Sequence, residues 1–431
     1  MAKLKVGIFS LLLVILLSIF FVVLYQEELP VNSLAYLSGH GRFRGKNMLF
    51  EIVEFWHNKR ESSTSPQNTK TDVTSGRDFV TKPKSSPEDT PIPMLSLKAF
   101  QRLPQWDFDD IYNQDSPPKP NTCPQSLRKS KDEVFQKAFL PNIRLFMHRY
   151  NFNMKEWNRL SHFNNPFGFM QMKYDEVWSA VKLIPKPIQP LLLPKPGGDG
   201  CVHCAVVGSG GILYGSKMGA EIDAHDYVFR MNAAVIKGYE EDVGNKTSVY
   251  VHTSFSITQS PIIFSPYGYR SAPHDEGIKY VLIPEGLRDF HWLKALIKGE
   301  KISDSDFQNE NPRAYYSGQY NMSRFYVLHQ DFMRYVRNRF LKSGYLNDDI
   351  WSIVRPTNGA FTLFLALHTC DTVSAYGFMT DNYAQFSNYY AEKQSKSEVI
   401  FYANHDLIQE KNLWKSFHDK KIIKLYQRTE G

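Results

Sequence analysis

Cysteine is scarce in this chain: four residues in 431, at positions 123, 201, 204 and 370. Cys201 and Cys204 form a single Cys-x-x-Cys pair. No second pair and no spaced histidine partner accompanies it, so a structural zinc module lacks its ligand set. A redox pair of the thioredoxin kind would normally open a helix, whereas this one enters an apolar strand-like run. An even cysteine count fits two disulfides in an oxidising compartment. Charge of one sign is not concentrated either. The net charge of +7 is modest for the length, and no lysine/arginine stripe is present, which argues against a nucleic-acid partner. Internal repeats are absent, as are the P-loop and the nucleophile-elbow patterns. The dinucleotide fingerprint GxGxxG fails at its last glycine, because Leu213 stands there. A nicotinamide-dependent oxidoreductase stays open only as an alternative.

One long apolar run is present. Val6 to Leu24 holds 19 residues without a charge, enough to cross a bilayer. Lys3 and Lys5 precede it and Glu27-Glu28 follow, which leaves the N-terminus cytosolic by the positive-inside rule. No small-x-small cleavage site follows, so a retained signal-anchor fits better than a cleaved signal peptide. The next stretch, rich in Ser, Thr and Pro from Ser62 to Pro93, cannot bury enough apolar surface to fold and reads as a disordered stem. The expected organisation is a cytosolic tail at 1–5, a transmembrane segment at 6–25, a stem at 26–99 and a luminal domain at 100–431. Within that domain, 100–200 reads as a largely helical extension and a Pro-rich connector, and 201–431 as the core.

The core begins with its most informative stretch, Cys201 to Asn232. Cys204 to Val207 is an apolar run, Gly208-Ser209-Gly210-Gly211 breaks it, and Ile212 to Glu221 can continue as a helix. Such a turn would let backbone N–H groups approach an anion. Further strands are predicted at 227–231, 248–252, 279–283, 324–328, 373–377, 399–402 and 422–426. Helices are predicted at 287–298, 331–342, 359–369 and 407–419. This alternation implies a mostly parallel α/β sheet with helices on both faces. Its ligands would bind beyond the strand C-termini at a switch point, where Gly208–Gly211 would sit.

The run Cys204-Ala-Val-Val-Gly208, Gly210-Gly211-Ile-Leu213, Glu221-Ile-Asp223 and His225-Asp-Tyr-Val-Phe-Arg-Met-Asn232 resembles the large sialyl motif of eukaryotic sialyltransferases, which use CMP-sialic acid. Arg355-Pro-Thr-Asn-Gly359 through Cys370-Asp371 to Tyr376-Gly377-Phe378 resembles the small motif. Tyr389-Tyr390-Ala391-Glu392 resembles the third, and His405-Asp-Leu-Ile-Gln-Glu410 the very small one. The resemblance covers roughly 100–431. It implies a Rossmann-like variant of the glycosyltransferase A fold. It also implies disulfide Cys204–Cys370, which leaves Cys201 for Cys123; joining the two motifs would hold the sheet around the nucleotide. Two sequons, Asn245 and Asn321, are N-glycosylation candidates.

Transfer of sialic acid with inversion needs a base for the acceptor hydroxyl and donors for the departing phosphate. The resemblance makes His405 that base. It assigns donor binding to Gly208, Ser209, Gly210, Asn232, Thr357, Asn358, Gly359, Gly377, Tyr389 and Tyr390, the two tyrosines through their phenol hydroxyls. Glu410 would lie about 140° round a continuous helix from His405, so it reads as a supporting residue. Three positions depart from the family pattern: Ser209 replaces the usual Asn, Asn358 the usual Thr or Ser, and Tyr389 the frequent His. Each keeps hydrogen-bonding capacity. These departures motivate the other alternative, a Golgi protein of this fold with weakened catalysis that serves in binding.

DxD sequences occur at Asp107-Phe-Asp109 and Asp304-Ser-Asp306. Neither follows an obvious strand of the nucleotide-binding half, so no metal and no cofactor is expected. Gly238–Gly244, Phe401–Asp406 and Leu425–Arg428 resemble the branch that forms α2,6 linkages on GalNAc O-linked to Ser or Thr. The expected partners are thus CMP-sialic acid and O-glycosylated glycoproteins, and the expected location is the Golgi membrane with the catalytic domain luminal.

Overall fold

The computed structural model describes residues 90–94, 96, 110–119, 122–303, 307–392 and 397–428, all within the compact unit Val80–Gly431. The expected anchor at Val6–Leu24, nearly all of the stem and both DxD sequences lie outside the described residues. Among the described residues no helix is long and apolar enough to cross a membrane.

Seven strands form one sheet: β1 His203–Val207, β2 Tyr227–Met231, β3 Val249–His252, β4 Lys279–Leu282, β5 Phe325–Val327, β6 Thr372–Tyr376 and β7 Lys424–Leu425. Their order is β5-β4-β3-β2-β1-β6-β7, and every neighbouring pair is parallel. Both faces of the sheet are covered, so the strands read as continuous apolar runs rather than alternating ones. Arg230 on β2 is a charged residue within such a run. It is fully buried and donates from Nη2 to the Val243 carbonyl at 2.7 Å and from Nε to Thr247 Oγ1 at 3.2 Å.

The helices are α1 Glu133–Ala138, α2 Met154–Leu160, α3 Tyr174–Val181, α4 Gly219–Asp223, α5 Glu240–Val243, α6 Ser254–Phe264, α7 Leu287–Lys298, α8 Gln330–Phe340, α9 Asn358–Thr369 and α10 Leu407–Asp419. The central one is α9, buried throughout from Ala360 to Thr369 and packed on β1, β2, β3 and β6. It ends just before β6 begins, so its first turn stands at the C-terminal edge of the parallel strands.

Three expectations are corrected. The extension is not largely helical: α1, α2 and α3 are short and joined by irregular chain. Asn153 and Asp132 cap α2 and α1, and Pro166 and Gly168 fall in the irregular segment between α2 and α3. Residues 145–147 instead run antiparallel along β5. The Met147 N–H donates to the Val327 carbonyl and the His329 N–H to the Leu145 carbonyl, both at 2.8 Å, which covers that sheet edge. Second, the apolar run at 399–402 forms no strand. β7 already pairs with the outer edge of β6, and Ile400 and Phe401 lie exposed.

The third correction concerns the disulfides. Both pairs form, Cys123–Cys201 and Cys204–Cys370. However, Cys204 lies near the start of β1 and Cys370 caps the C-terminus of α9, at the opposite edge from the first turn of α9. Twelve helical residues at 1.5 Å rise separate them by about 18 Å. This bridge anchors the far end of the helix rather than clasping the ligand edge. The sequon residues Asn245 and Asn321 are both exposed.

Candidate active site

At the ends of β1 and β6 two loops cross at backbone distance. The Gly208 N–H donates to the Tyr376 carbonyl at 2.8 Å, Gly210 to Gly377 at 2.9 Å and Gly211 to Ser387 at 3.1 Å. A Cβ on Gly208 or Gly210 would stand 2.7 Å from the Gly377 carbonyl oxygen, and one on Gly211 2.0 Å from that of Ser387. Gly377 itself has φ +70°, a conformation that favours glycine. These glycines therefore allow the crossing, and the three N–H groups expected to face an anion are bonded within the chain. The helix expected over Ile212–Glu221 is also interrupted: Gly211–Leu213 is a single 3₁₀ turn, and α4 starts only at Gly219. A dinucleotide site needs a helix N-terminus directly after the turn. The oxidoreductase alternative loses its support.

An anion-ready helix start is found elsewhere in the same edge, at α9. Thr357 caps it, accepting the Ala360 N–H on Oγ1 at 3.0 Å. The N–H groups of Asn358 and Gly359 have no partner among the described residues, as the first turn of a helix leaves them open. Asn358 donates from Nδ2 to Oδ1 of Asn232 at 2.9 Å. Asn232 follows β2 with φ +51° and accepts the Tyr250 hydroxyl on its carbonyl at 2.5 Å. This amide pair links the large and small motifs through side chains, in addition to the backbone crossing of their two loops.

Glu410 supports the cap from below. Thr357 donates its N–H to one Glu410 carboxylate oxygen and its hydroxyl to the other, both at 2.7 Å. Glu410 is buried, and burial pushes its carboxyl up to about 7 against the effect of those two bonds. The two tyrosines part company. Tyr390 is 2% exposed and donates its hydroxyl to the Val235 carbonyl at 2.7 Å, so its phenol does not face a ligand. Tyr389 remains half-buried, edge-on to Phe264. Ser209, also half-buried, accepts the Tyr390 N–H on its carbonyl at 3.0 Å.

His405 lies just ahead of α10, half-buried. Its Nδ1 is 2.8 Å from the Arg355 carbonyl. A carbonyl can only accept, so Nδ1 carries the proton and Nε2 keeps its lone pair. Burial, reinforced by the Arg355 charge, holds the imidazole down at about 4. Arg355 in turn donates from Nε (3.0 Å) and Nη2 (2.6 Å) to Glu285 Oε1. Neither Glu285 nor the role of the Arg355 carbonyl emerges from the motifs. The available signal was an acidic residue, in Pro284-Glu285-Gly286, just past the end of a predicted parallel strand.

Asp199, Cys201 and His203 bring potential metal-ligand atoms within 4.8 Å of one another. The Cys201 sulfur is bonded to Cys123, and the group sits where β1 begins, away from His405. It offers no thiolate.

Residues 146–422 match glycosyltransferase family 29 (sialyltransferase). The chain is 45% identical over 342 residues to alpha-N-acetylgalactosaminide alpha-2,6-sialyltransferase 1 of Gallus gallus, covering 78% of this chain and 60% of that protein. It is 43% identical over 362 residues to the Homo sapiens protein of the same name, covering 80% and 60%. It therefore spans about 60% of the length of these relatives. A crystal structure of a mammalian sialyltransferase shares the fold with a TM-score of 0.51 at 24% identity, over 72% of this chain and 99% of that one. The motifs, the sheet order and the matched span together place this chain in glycosyltransferase family 29, the sialyltransferases.

Proposed function

We propose that this protein transfers sialic acid from CMP-sialic acid to the 6-hydroxyl of GalNAc O-linked to Ser or Thr, forming an α2,6 linkage with inversion. The observation that carries the reading is His405 in a fixed tautomer, Nε2 free, on the same edge as the open N-terminus of α9 and the Asn232–Asn358 pair. The names of the similar proteins from Gallus gallus and Homo sapiens support the acceptor and linkage.

In the proposed reaction Nε2 accepts the proton of the acceptor hydroxyl as its oxygen attacks the anomeric carbon. The bond from that carbon to the phosphate oxygen breaks, and CMP leaves with the electron pair. The N–H groups of Asn358 and Gly359 and the Tyr389 hydroxyl receive the phosphate charge. An imidazole at about 4 is a weak base in the free protein. The donor's phosphate and carboxylate raise it by charge when they bind. A single phosphate needs little neutralisation, so no metal and no cofactor takes part. We further propose that Val6–Leu24 anchors the protein as a single-pass type II Golgi membrane protein with residues 100–431 luminal.

The test supplies the protein with CMP-sialic acid and mucin peptides bearing GalNAc or Gal-GalNAc, in EDTA, beside a His405→Ala control. Product on GalNAc that vanishes in the control is expected. A protein that binds CMP without transferring to either peptide would refute the acceptor, and one that fails to bind CMP would refute the enzyme.

A further inference from the structure

Glu285 joins β4 to α7 at the ligand edge of the sheet, and its side chain is 6% exposed. The turn that carries it is held by Asp289 of α7, whose Oδ2 accepts the N–H groups of Glu285 (3.1 Å) and Gly286 (3.0 Å). Its carboxylate has two cationic partners. Arg355 donates twice to Oε1, and Arg288 donates from Nη2 to Oε2 at 3.1 Å. Arg355 is held at its other end too. Its N–H donates to the Asn404 carbonyl at 3.0 Å, and its own carbonyl receives Nδ1–H of His405 at 2.8 Å.

We infer that Glu285 is a positioning residue for His405, acting through Arg355: it fixes the carbonyl that selects the imidazole tautomer and offsets the guanidinium charge beside the base. The inference rests on His405 being the base of the transfer proposed above. Its physical basis is the chain of contacts. A guanidinium bonded through two nitrogens to one buried carboxylate oxygen has little freedom, and the backbone it belongs to is the hydrogen-bond partner of the imidazole. The charges facing His405 are those of Arg355, which disfavours the imidazolium, and Glu285, which favours it. On the histidine's own segment, Asp406 is engaged by the Ser343 hydroxyl at 2.7 Å and the Gln409 N–H at 3.0 Å. Glu285 is thus the carboxylate placed to counter the guanidinium.

The test uses the full chain with Glu285→Gln, Glu285→Asp and Arg355→Lys. Arg355→Lys keeps a cation beside Glu285 but lacks the planar fork, so it remains informative if Glu285→Gln does not fold. Two readouts are taken: kinetics against pH, and ¹⁵N-histidine NMR at pH 7, with His405 assigned by its loss in His405→Ala. In the wild type His405 should show the Nδ1–H tautomer. In Glu285→Gln and Arg355→Lys the Nε2–H tautomer should appear, and kcat should fall about tenfold or more with KM for both substrates within about twofold.

In Glu285→Gln the acid limb of kcat/KM should move to lower pH, because the Arg355 charge is no longer countered. Glu285→Asp should recover part of kcat. An unchanged tautomer with unchanged kcat in both Glu285→Gln and Arg355→Lys overturns the inference, whatever happens to thermal stability. If the wild type transfers nothing, the tautomer alone decides: a shift sustains the positioning role while the transfer reading fails, and no shift overturns both.

Discussion

Replacing Glu410 with Gln should flatten the dependence of stability on pH. The carboxyl is buried and accepts two bonds from Thr357, yet burial still lifts it from 4.5 to about 7. Because the folded value lies above the unfolded one, the stabilising contribution is complete below about 4.5 and is lost as pH rises through about 7. Between pH 5 and pH 8 a shift of that size removes about 2.5 kcal/mol. At about 2.1 cal/mol/K per residue, a domain of this size would shift by about 3–4 °C in Tm. Glu410→Gln keeps an oxygen for the Thr357 N–H and offers an amide proton to its hydroxyl. The substitution therefore costs about 1 kcal/mol, and that cost does not vary with pH. Thermal unfolding of both proteins from pH 5 to pH 8 should show the wild type losing the extra stability as pH rises. The variant should lack that component. Parallel curves would refute the reasoning, since the carboxyl would then not titrate in this window.

Gly210→Ala should lower stability by about 1–3 kcal/mol or prevent folding, because its Cβ would meet backbone rather than a movable side chain; unfolding in urea measures this. Asn358→Ala removes the Asn232–Asn358 side-chain bond between the large and small motifs and should raise the KM for CMP-sialic acid about three- to tenfold while moving stability by about 1 kcal/mol. Tyr389→Phe and Tyr390→Phe should separate: the first raises donor KM at constant Tm, the second lowers stability by about 1 kcal/mol by stranding the Val235 carbonyl. CMP titration and thermal unfolding on both variants check the pair.

Much of this protein was legible without coordinates. β1, β2, α7 and α10 fall at their predicted bounds, because buried parallel strands and amphipathic helices carry unambiguous apolar patterns. The family resemblance also implied the disulfide pairs that form, Cys204–Cys370 and, by remainder, Cys123–Cys201. What sequence could not supply was direction and occupancy. Whether a glycine N–H faces a ligand or a neighbouring loop depends on Ser387 and Gly377, which are remote in the chain. Whether a tyrosine hydroxyl is available depends on whether a carbonyl such as that of Val235 has already claimed it. The same holds for the link from Glu285 through Arg355 to His405. Local pattern records which residues tend to be buried and in what periodicity. Only the packing of distant segments decides which polar atoms find partners inside the chain and which remain for chemistry.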